Sequence, residues 1–154
     1  MDLYEQLAMI VQELDAEGIP YALCGALALA VHGVPRATSD IDLIVPRDDA
    51  EAVRRATRRA SYVFEALPMR FPSGIEVQRF SKIVDGRPLM LDILWATDTL
   101  REILTRSQTV PWAQGEIRVV SRPDLITLKL TAGRPQDLAD IQALTKLEGR
   151  DDPT

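Results

Sequence analysis

Two aspartates spaced two residues apart carry the clearest chemical signal in the sequence. Asp40 and Asp42 stand in the run DIDLIV, which is rich in β-branched residues and is predicted to form a strand over residues 40–45. Side chains alternate along a strand, so both carboxylates face one way while Ile41 faces the core. Like charges on one face repel unless a cation lies between them, and carboxylate oxygens suit Mg²⁺ or Mn²⁺. The alternative is a strand that begins at Ile41, with both aspartates in solvent.

A third aspartate lies in the middle of a long apolar run. Residues 87–95 contain LMLDILW and are predicted to form a buried strand, joined to a strand over residues 75–84 by the turn at Asp85-Gly86. An isolated carboxylate in such a strand is costly to bury, so Asp92 needs a metal ion, an open face or an arginine partner. Taken with the Asp40–Asp42 pair, it favours a metal site held by three carboxylates.

A glycine turn precedes the aspartate pair. Gly25 lies between a predicted strand and a predicted helix over residues 26–32. Backbone N–H groups at a helix start can hold phosphate oxygens, and glycine lets a phosphate approach the backbone closely. The loop that follows carries Arg36, which taken alone is interpreted as a surface arginine. It also carries Thr38, which is expected to brace the loop through a side-chain to backbone hydrogen bond.

Apolar periodicity and turn residues predict the elements that position these side chains. Helices are predicted at residues 2–17, 26–32, 48–60 and 98–106, and from Ser121 and Pro135 onward. Strands are predicted at residues 20–24, 40–45, 75–84, 87–95, 109–112 and 117–120. The fold class is therefore α+β with a mixed sheet. We expect a single domain over residues 1–148 and a disordered polar tail over residues 149–154.

Composition and charge narrow the class of protein. The 154 residues are 46% hydrophobic and 27% charged, as expected for one domain with one core. The net charge of −5 argues against a globally basic nucleic-acid binder. A local basic face at Arg54, Arg55, Arg58 and Arg59 is either solvated or an RNA contact. The single cysteine, Cys24, and the lack of a long apolar run predict a cytoplasmic protein without a membrane span.

The order of these motifs resembles a known signature. The runs GALALAVHG at residues 25–33 and PRATSDIDL at residues 35–43 look like the DNA polymerase β-like nucleotidyltransferase superfamily, in its small bacterial AbiEii toxin-like branch. That signature has a glycine turn, a short helix, an Asp-x-Asp strand and a third acid on a later strand, which Asp92 matches. The branch adds a helix with a lysine, matched by Lys129, and a helix with acids, matched by residues 134–140.

The resemblance implies a polymerase β-like fold with a C-terminal helical pair, and transfer of an NMP from an NTP to a hydroxyl of RNA, protein or a small molecule. Asp40 and Asp42 would bridge two divalent ions, Mg²⁺ or Mn²⁺, with Asp92 as a further ligand and general base. The implied nucleotide-binding residues are Gly25, Ala26, Arg36, Thr38 and Lys129, supported by Asp137 and Asp140. A tRNA or another RNA is the favoured acceptor, and a toxin–antitoxin role implies a cognate antitoxin as partner.

Two residues test this interpretation further. Ala26 stands where the superfamily has glycine or serine, so a hydroxyl is lost. A catalytically silent relative that binds a nucleotide or a partner therefore stays open as the alternative. Lys129 lies near the inward stripe of its helix, and a buried lysine needs an anionic partner. We predict that it lies within salt-bridge range of Asp137 or Asp140, or faces the nucleotide site.

Overall fold

The computed structural model describes the backbone of residues 1–151 and the side chains of residues 1–147. The strands in this part of the chain are β1 (Ala22–Cys24), β2 (Asp40–Pro46), β3 (Phe64–Glu65), β4 (Met69–Arg70), β5 (Glu76–Val84), β6 (Arg87–Ala96), β7 (Gln108–Trp112) and β8 (Gly115–Val119). The helices are α1 (Leu3–Ala16), α2 (Gly25–Val31), α3 (Ala50–Arg59), α4 (Thr99–Thr105), α5 (Arg122–Ala132) and α6 (Pro135–Asp151), with a short 3-10 helix at Arg47–Asp49 before α3.

The strands form one mixed sheet in the order β3-β5-β6-β2-β1-β8-β7, with β4 paired to β5. At its centre β2 runs parallel to β6 and antiparallel to β1. The hairpins β5–β6 and β7–β8 flank this centre. The predicted α+β class with a mixed sheet and flanking helices is confirmed.

Strand β2 has the alternation that the sequence predicts. Ile41, Leu43 and Val45 are 0% exposed, whereas Asp40 and Asp42 are only partly buried. Burying three aliphatic side chains of this size contributes about 1.5–3 kcal/mol each, which fixes the register of β2 and with it the face that carries the aspartates.

The C-terminal helices pack against each other as a pair. Ser121 caps α5 by accepting a hydrogen bond from the backbone N–H of Asp124, 3.3 Å away. Gly133 ends α5 in the left-handed conformation, with φ of 64°. Pro135 then starts α6, a position where its missing N–H costs nothing. Along the part of the chain that is described, every helix is too short or too polar to cross a bilayer.

Two parts of the chain differ from the sequence-based expectation. The short strands β3 and β4 were not predicted, because a two-residue strand has no measurable alternation. All four residues of the two strands are exposed. Helix α6 includes residues 149–151, which were expected to belong to a disordered tail. A glycine within a helix costs only about 1 kcal/mol, so Gly149 does not stop α6. The rest of that expected tail, residues 152–154, lies outside the described residues.

Candidate active site

The carboxylates converge because β2 and β6 are parallel and in register. Asp42 lies opposite Asp92 across this strand pair, and Asp40 lies opposite Met90. On the other side of β2, Cys24 of β1 lies opposite Asp42. All three aspartates line one cleft of about 680 Å³. The structure therefore brings together three acids that are separated by up to 52 residues, from Asp40 to Asp92.

Gly25 closes the floor of this cleft against β2. Its φ is +68°, a conformation that side-chain-bearing residues rarely adopt. A Cβ placed on Gly25 would overlap the Asp42 carboxylate, only 2.7 Å from its Cγ. The turn that begins α2 can therefore approach Asp42 only because residue 25 is glycine. Ala26 follows it and also lines the cleft.

The environment of the cleft disfavours the ionised form of Asp42. Burial raises the pKa of Asp42 to about 7, and the charges of Asp92 and Asp40 add to this effect. Lys129 and Arg79 act in the opposite direction and favour the carboxylate. A cation between these acids would relieve the repulsion that remains.

Arg79 holds the third carboxylate. It lies opposite Asp92 in the β5–β6 hairpin and donates two hydrogen bonds, Nε to Oδ1 at 2.8 Å and Nη2 to Oδ2 at 2.9 Å. These hydrogen bonds raise the pKa of Arg79 above its usual range. Within residues 1–147 no three carboxylate, histidine or cysteine side chains stand in an arrangement that would hold a metal ion. Asp92 presents both of its oxygens to Arg79.

A second group of charges forms the opposite wall of the cleft. The ammonium of Lys129, a residue 7% exposed, lies 3.0 Å from Asp140 Oδ2 and 3.5 Å from Asp137 Oδ1. The prediction that Lys129 pairs with one of these acids is confirmed for both. Arg36 donates to Asp140 at 2.7 Å, and Arg134 donates to Asp137 at 2.7 Å. A charged network thus ties the loop before β2 to α5 and α6.

The charges of this wall outweigh the effect of burial on Asp137. Burial alone would raise its pKa, but hydrogen bonds from Arg134 and the positive charges of Arg134 and Lys129 lower it below the ordinary range. Asp137 therefore remains ionised although it is 0% exposed. Three cations face two carboxylates here, which leaves the wall one positive charge in excess.

The loop before β2 is braced as expected. Thr38 Oγ1 accepts a hydrogen bond from the backbone N–H of Asp40 at 3.2 Å. Ser39 donates its hydroxyl to Asp40 Oδ1 at 3.3 Å. These contacts hold the start of β2 so that Asp40 stays on the cleft side, and Thr38 itself lines the cleft.

Sequence reasoning missed three features of this cleft. One is Arg79 and another is Arg134, both of which line it. A signal for Arg79 was available in the sequence. Arg79 stands six positions before Asp85, and Asp92 stands six positions after Gly86. A two-residue hairpin turn pairs such positions. The third is an apolar side of the cleft, formed by Met69, Phe71, Ile75, Val77, Leu94, Leu125 and Leu128.

The arginines of α3 lie elsewhere. Three of these four arginines form ion pairs with glutamates. One glutamate lies in α1, one directly after α1 and one in β3. The pairs are Arg54–Glu65 at 2.9 Å, Arg55–Glu17 at 3.1 Å and Arg59–Glu13 at 2.6 Å. None of these arginines is among the described residues that line the cleft. Their charge is largely compensated, which favours the solvated-face interpretation over an RNA contact.

Known proteins resemble this chain in sequence and in structure. A family described as "Nucleotidyl transferase AbiEii toxin, Type IV TA system" matches residues 10–154. No curated protein sequence matches significantly. A provisionally assigned nucleotidyltransferase from Thermotoga maritima, TM1012, superposes with a TM-score of 0.63 at 20% identity, over 94% of this chain and 92% of that one.

The antibiotic-resistance factor ANT(2'')-Ia superposes in two structures. Its solution structure gives a TM-score of 0.60 at 15% identity, over 95% of this chain and 85% of that one. Its complex with adenylyl-2''-tobramycin gives 0.56 at 16% identity, over 92% and 90%. At these identities the likeness shows the fold, which is the polymerase β-like nucleotidyltransferase fold expected from the motifs.

Proposed function

This chain belongs to the AbiEii family of nucleotidyl transferase toxins of type IV toxin–antitoxin systems, and on that premise we propose that it transfers the NMP of an NTP to an acceptor hydroxyl with the help of a divalent cation. As a member of that family it is a nucleotidyltransferase. The observation that carries the finer proposal is the in-register placement of Asp42 and Asp92, beside Asp40 and the Gly25 turn, in one cleft.

The donor set fits a hard divalent cation. Three carboxylates line one cleft, and burial, followed by the charges of Asp92 and Asp40, raises the pKa of Asp42. Asp40 and Asp42 would hold Mg²⁺ or Mn²⁺, and Asp92, whose two oxygens accept hydrogen bonds from Arg79, would flank the ion. When bound, such a cation supplies positive charge to the triphosphate and lowers the pKa of the acceptor hydroxyl.

The residues of the chain have separate tasks in this proposal. The backbone N–H groups at Gly25 and Ala26 would hold phosphate oxygens, which the absence of a Cβ at Gly25 allows. Arg36 and Lys129 would face the triphosphate from the opposite wall, where one positive charge is in excess. Thr38 keeps the start of β2 in place. The acceptor hydroxyl would attack the α-phosphate, its proton would pass to a carboxylate of the cleft, and pyrophosphate would leave.

The acceptor that we propose is a tRNA or another RNA, as family resemblance implies. Support comes from the apolar side of the cleft, where Phe71 is 45% exposed and offers a flat face on which a base could stack. The ANT(2'')-Ia structure with adenylyl-2''-tobramycin makes an aminoglycoside-like polyol the small-molecule acceptor to compare with RNA. A cognate antitoxin as partner, and a cytoplasmic location, are further parts of the proposal.

Calorimetry with each of the four NTPs, with and without Mg²⁺ or Mn²⁺, tests the cation-linked site. We expect the cation to strengthen NTP binding to the parent protein and to have no effect on Asp42→Asn. Asp48→Asn, a change at an exposed aspartate outside the cleft, is the matched control and should behave as the parent. Equal cation dependence in Asp42→Asn and the parent would reject the assignment.

Pyrophosphate release then separates the two candidate activities. With RNA as acceptor, the parent should release pyrophosphate and Asp42→Asn should not. Cation-linked NTP binding without release, for RNA and for an aminoglycoside alike, would support the catalytically silent relative, to which Ala26 already points.

A further inference from the structure

The contact between Arg79 and Asp92 is built more firmly than a surface ion pair. The two residues are cross-strand partners in the longest hairpin of the described chain, so their backbones fix their separation. The carboxylate side chain is 12% exposed and the guanidinium 40% exposed. Both oxygens accept a hydrogen bond, in the fork geometry that gives arginine pairs their strength.

This guanidinium changes the charge that the acidic side presents to a cation. Asp40, Asp42 and Asp92 together carry three negative charges, and Arg79 neutralises one. Lys129 favours the Asp42 carboxylate from a distance but forms no ion pair with it, because the two aspartates of α6 hold its ammonium at 3.0 and 3.5 Å. Two negative charges remain, which matches one divalent ion and not two.

The position of the remaining charge is also defined. Asp40 and Asp42 share one face of β2, and no guanidinium or ammonium is recorded in contact with either carboxylate among the described residues. Asp92 is the acid whose oxygens are already occupied. The carboxylate oxygens that no cationic side chain occupies are therefore concentrated on β2 and not shared equally between β2 and β6.

We infer that Arg79 stands in for one of two cations, so that the nucleotide-free protein binds a single divalent ion, at Asp40 and Asp42, while the guanidinium serves as the built-in counter-charge of Asp92. This rests on the proposed function, since it assumes that the acids bind a divalent cation. In this arrangement Arg79 positions Asp92 and sets how many ions the site accepts.

Counting bound Mn²⁺ tests the inference without any activity measurement. The electron paramagnetic resonance signal of free Mn²⁺ is titrated against nucleotide-free protein. We expect one bound ion for the parent and two for Arg79→Gln, which frees Asp92. Arg106→Gln is the matched control, because Arg106 makes the same two-bond contact with Asp124, at 3.0 and 2.8 Å, outside the cleft. It should bind one ion.

The outcomes separate the inference from the proposed function. Two ions bound to the parent, or one ion still bound to a folded Arg79→Gln, would overturn the role of Arg79 while leaving the cation site intact. No ion bound to the parent would overturn both. Arg79→Lys keeps the positive charge beside Asp92 and should bind one ion. This variant replaces Arg79→Gln in the test if Arg79→Gln does not fold. Two ions bound to Arg79→Lys would overturn the inference.

Discussion

Replacing Asp42 by asparagine should stabilise the empty protein, although it removes a residue proposed to be essential. Asp42 is held in the cleft with a pKa of about 7, mainly by burial and then by the charges of Asp92 and Asp40. In the unfolded chain the same carboxyl has the ordinary value of 3.8. The folded state therefore binds a proton at Asp42 that the unfolded state has already released.

The sign and the size of the effect follow from that difference. Stability from this proton is fully present below pH 3.8 and is lost as the pH rises through about 7. A shift of about three units corresponds to at most ~4 kcal/mol above pH 7. Asp42 faces a cleft open to water, so we expect screening to reduce this to ~1–2 kcal/mol. That corresponds to roughly 2–8 °C in Tm for a chain of this length.

Thermal unfolding followed by circular dichroism, at pH values from 4 to 8 and with divalent ions chelated, measures the effect. The Tm of Asp42→Asn should equal that of the parent at pH 4, exceed it by a growing margin between pH 4 and 7, and exceed it by a constant margin above pH 7. Asp48→Asn should follow the parent throughout. Mg²⁺ should raise the Tm of the parent and not that of Asp42→Asn. A variant that is less stable than the parent at pH 8 would show that burial and the neighbouring acids do not disfavour the Asp42 carboxylate in the folded protein.

Three further changes have defined outcomes. Gly25→Ala should cost about 1–3 kcal/mol of stability because of its positive φ, and should abolish NTP binding because the new Cβ displaces Asp42. Gly18→Ala, at a φ of +69° with open space around it, should lose stability but keep NTP binding. Thermal unfolding and calorimetry compare the two variants, and intact NTP binding in Gly25→Ala would contradict the proposed floor of the cleft. Lys129→Met leaves two buried carboxylates short of a partner and should cost about 3 kcal/mol in urea unfolding; a loss under ~1 kcal/mol would mean that the remaining arginines suffice. Changing all four arginines of α3 to glutamine should leave the salt dependence of RNA binding unaltered, because their charge is compensated; a log–log slope flattened by roughly 2–3 would instead make α3 an RNA contact.

The parts of the fold that were predicted correctly are those where local pattern and burial agree. In β2 the alternation of Ile41 and Leu43 with the two acids gave strand, face and register together. The turn at Asp85-Gly86 has Asp85 and Gly86 at positive φ, which is the geometry that this residue pair favours, and it set the β5–β6 hairpin. The same turn places Arg79 opposite Asp92. This pairing was missed because an unspecified arginine was only one of the alternatives considered for Asp92.

Other parts of the site depend on contacts that leave no local trace. The apolar side of the cleft comes partly from the exposed segment at Met69 and Phe71, whose two-residue strand has no periodicity. Arg36 and Asp140 are far apart in sequence, so no local pattern links them. A buried acid can pair with an arginine or with a lysine, so the sequence does not indicate which of them is the partner. The pairing of Lys129 was predictable because only its own helix and the next were involved.

The bond between Arg36 and Asp140 has a consequence for the order in which the protein is made. The two residues are 104 positions apart. At about 5–20 residues per second, roughly 5–20 s of translation separate their synthesis. Within that interval the strands from β2 to β8, with the three aspartates, are synthesised before α6 begins at Pro135. Until α6 is made, a ribosome-bound chain therefore carries the three aspartates without the two acids that hold Arg36 and Lys129, and the cleft is complete only after α6 docks.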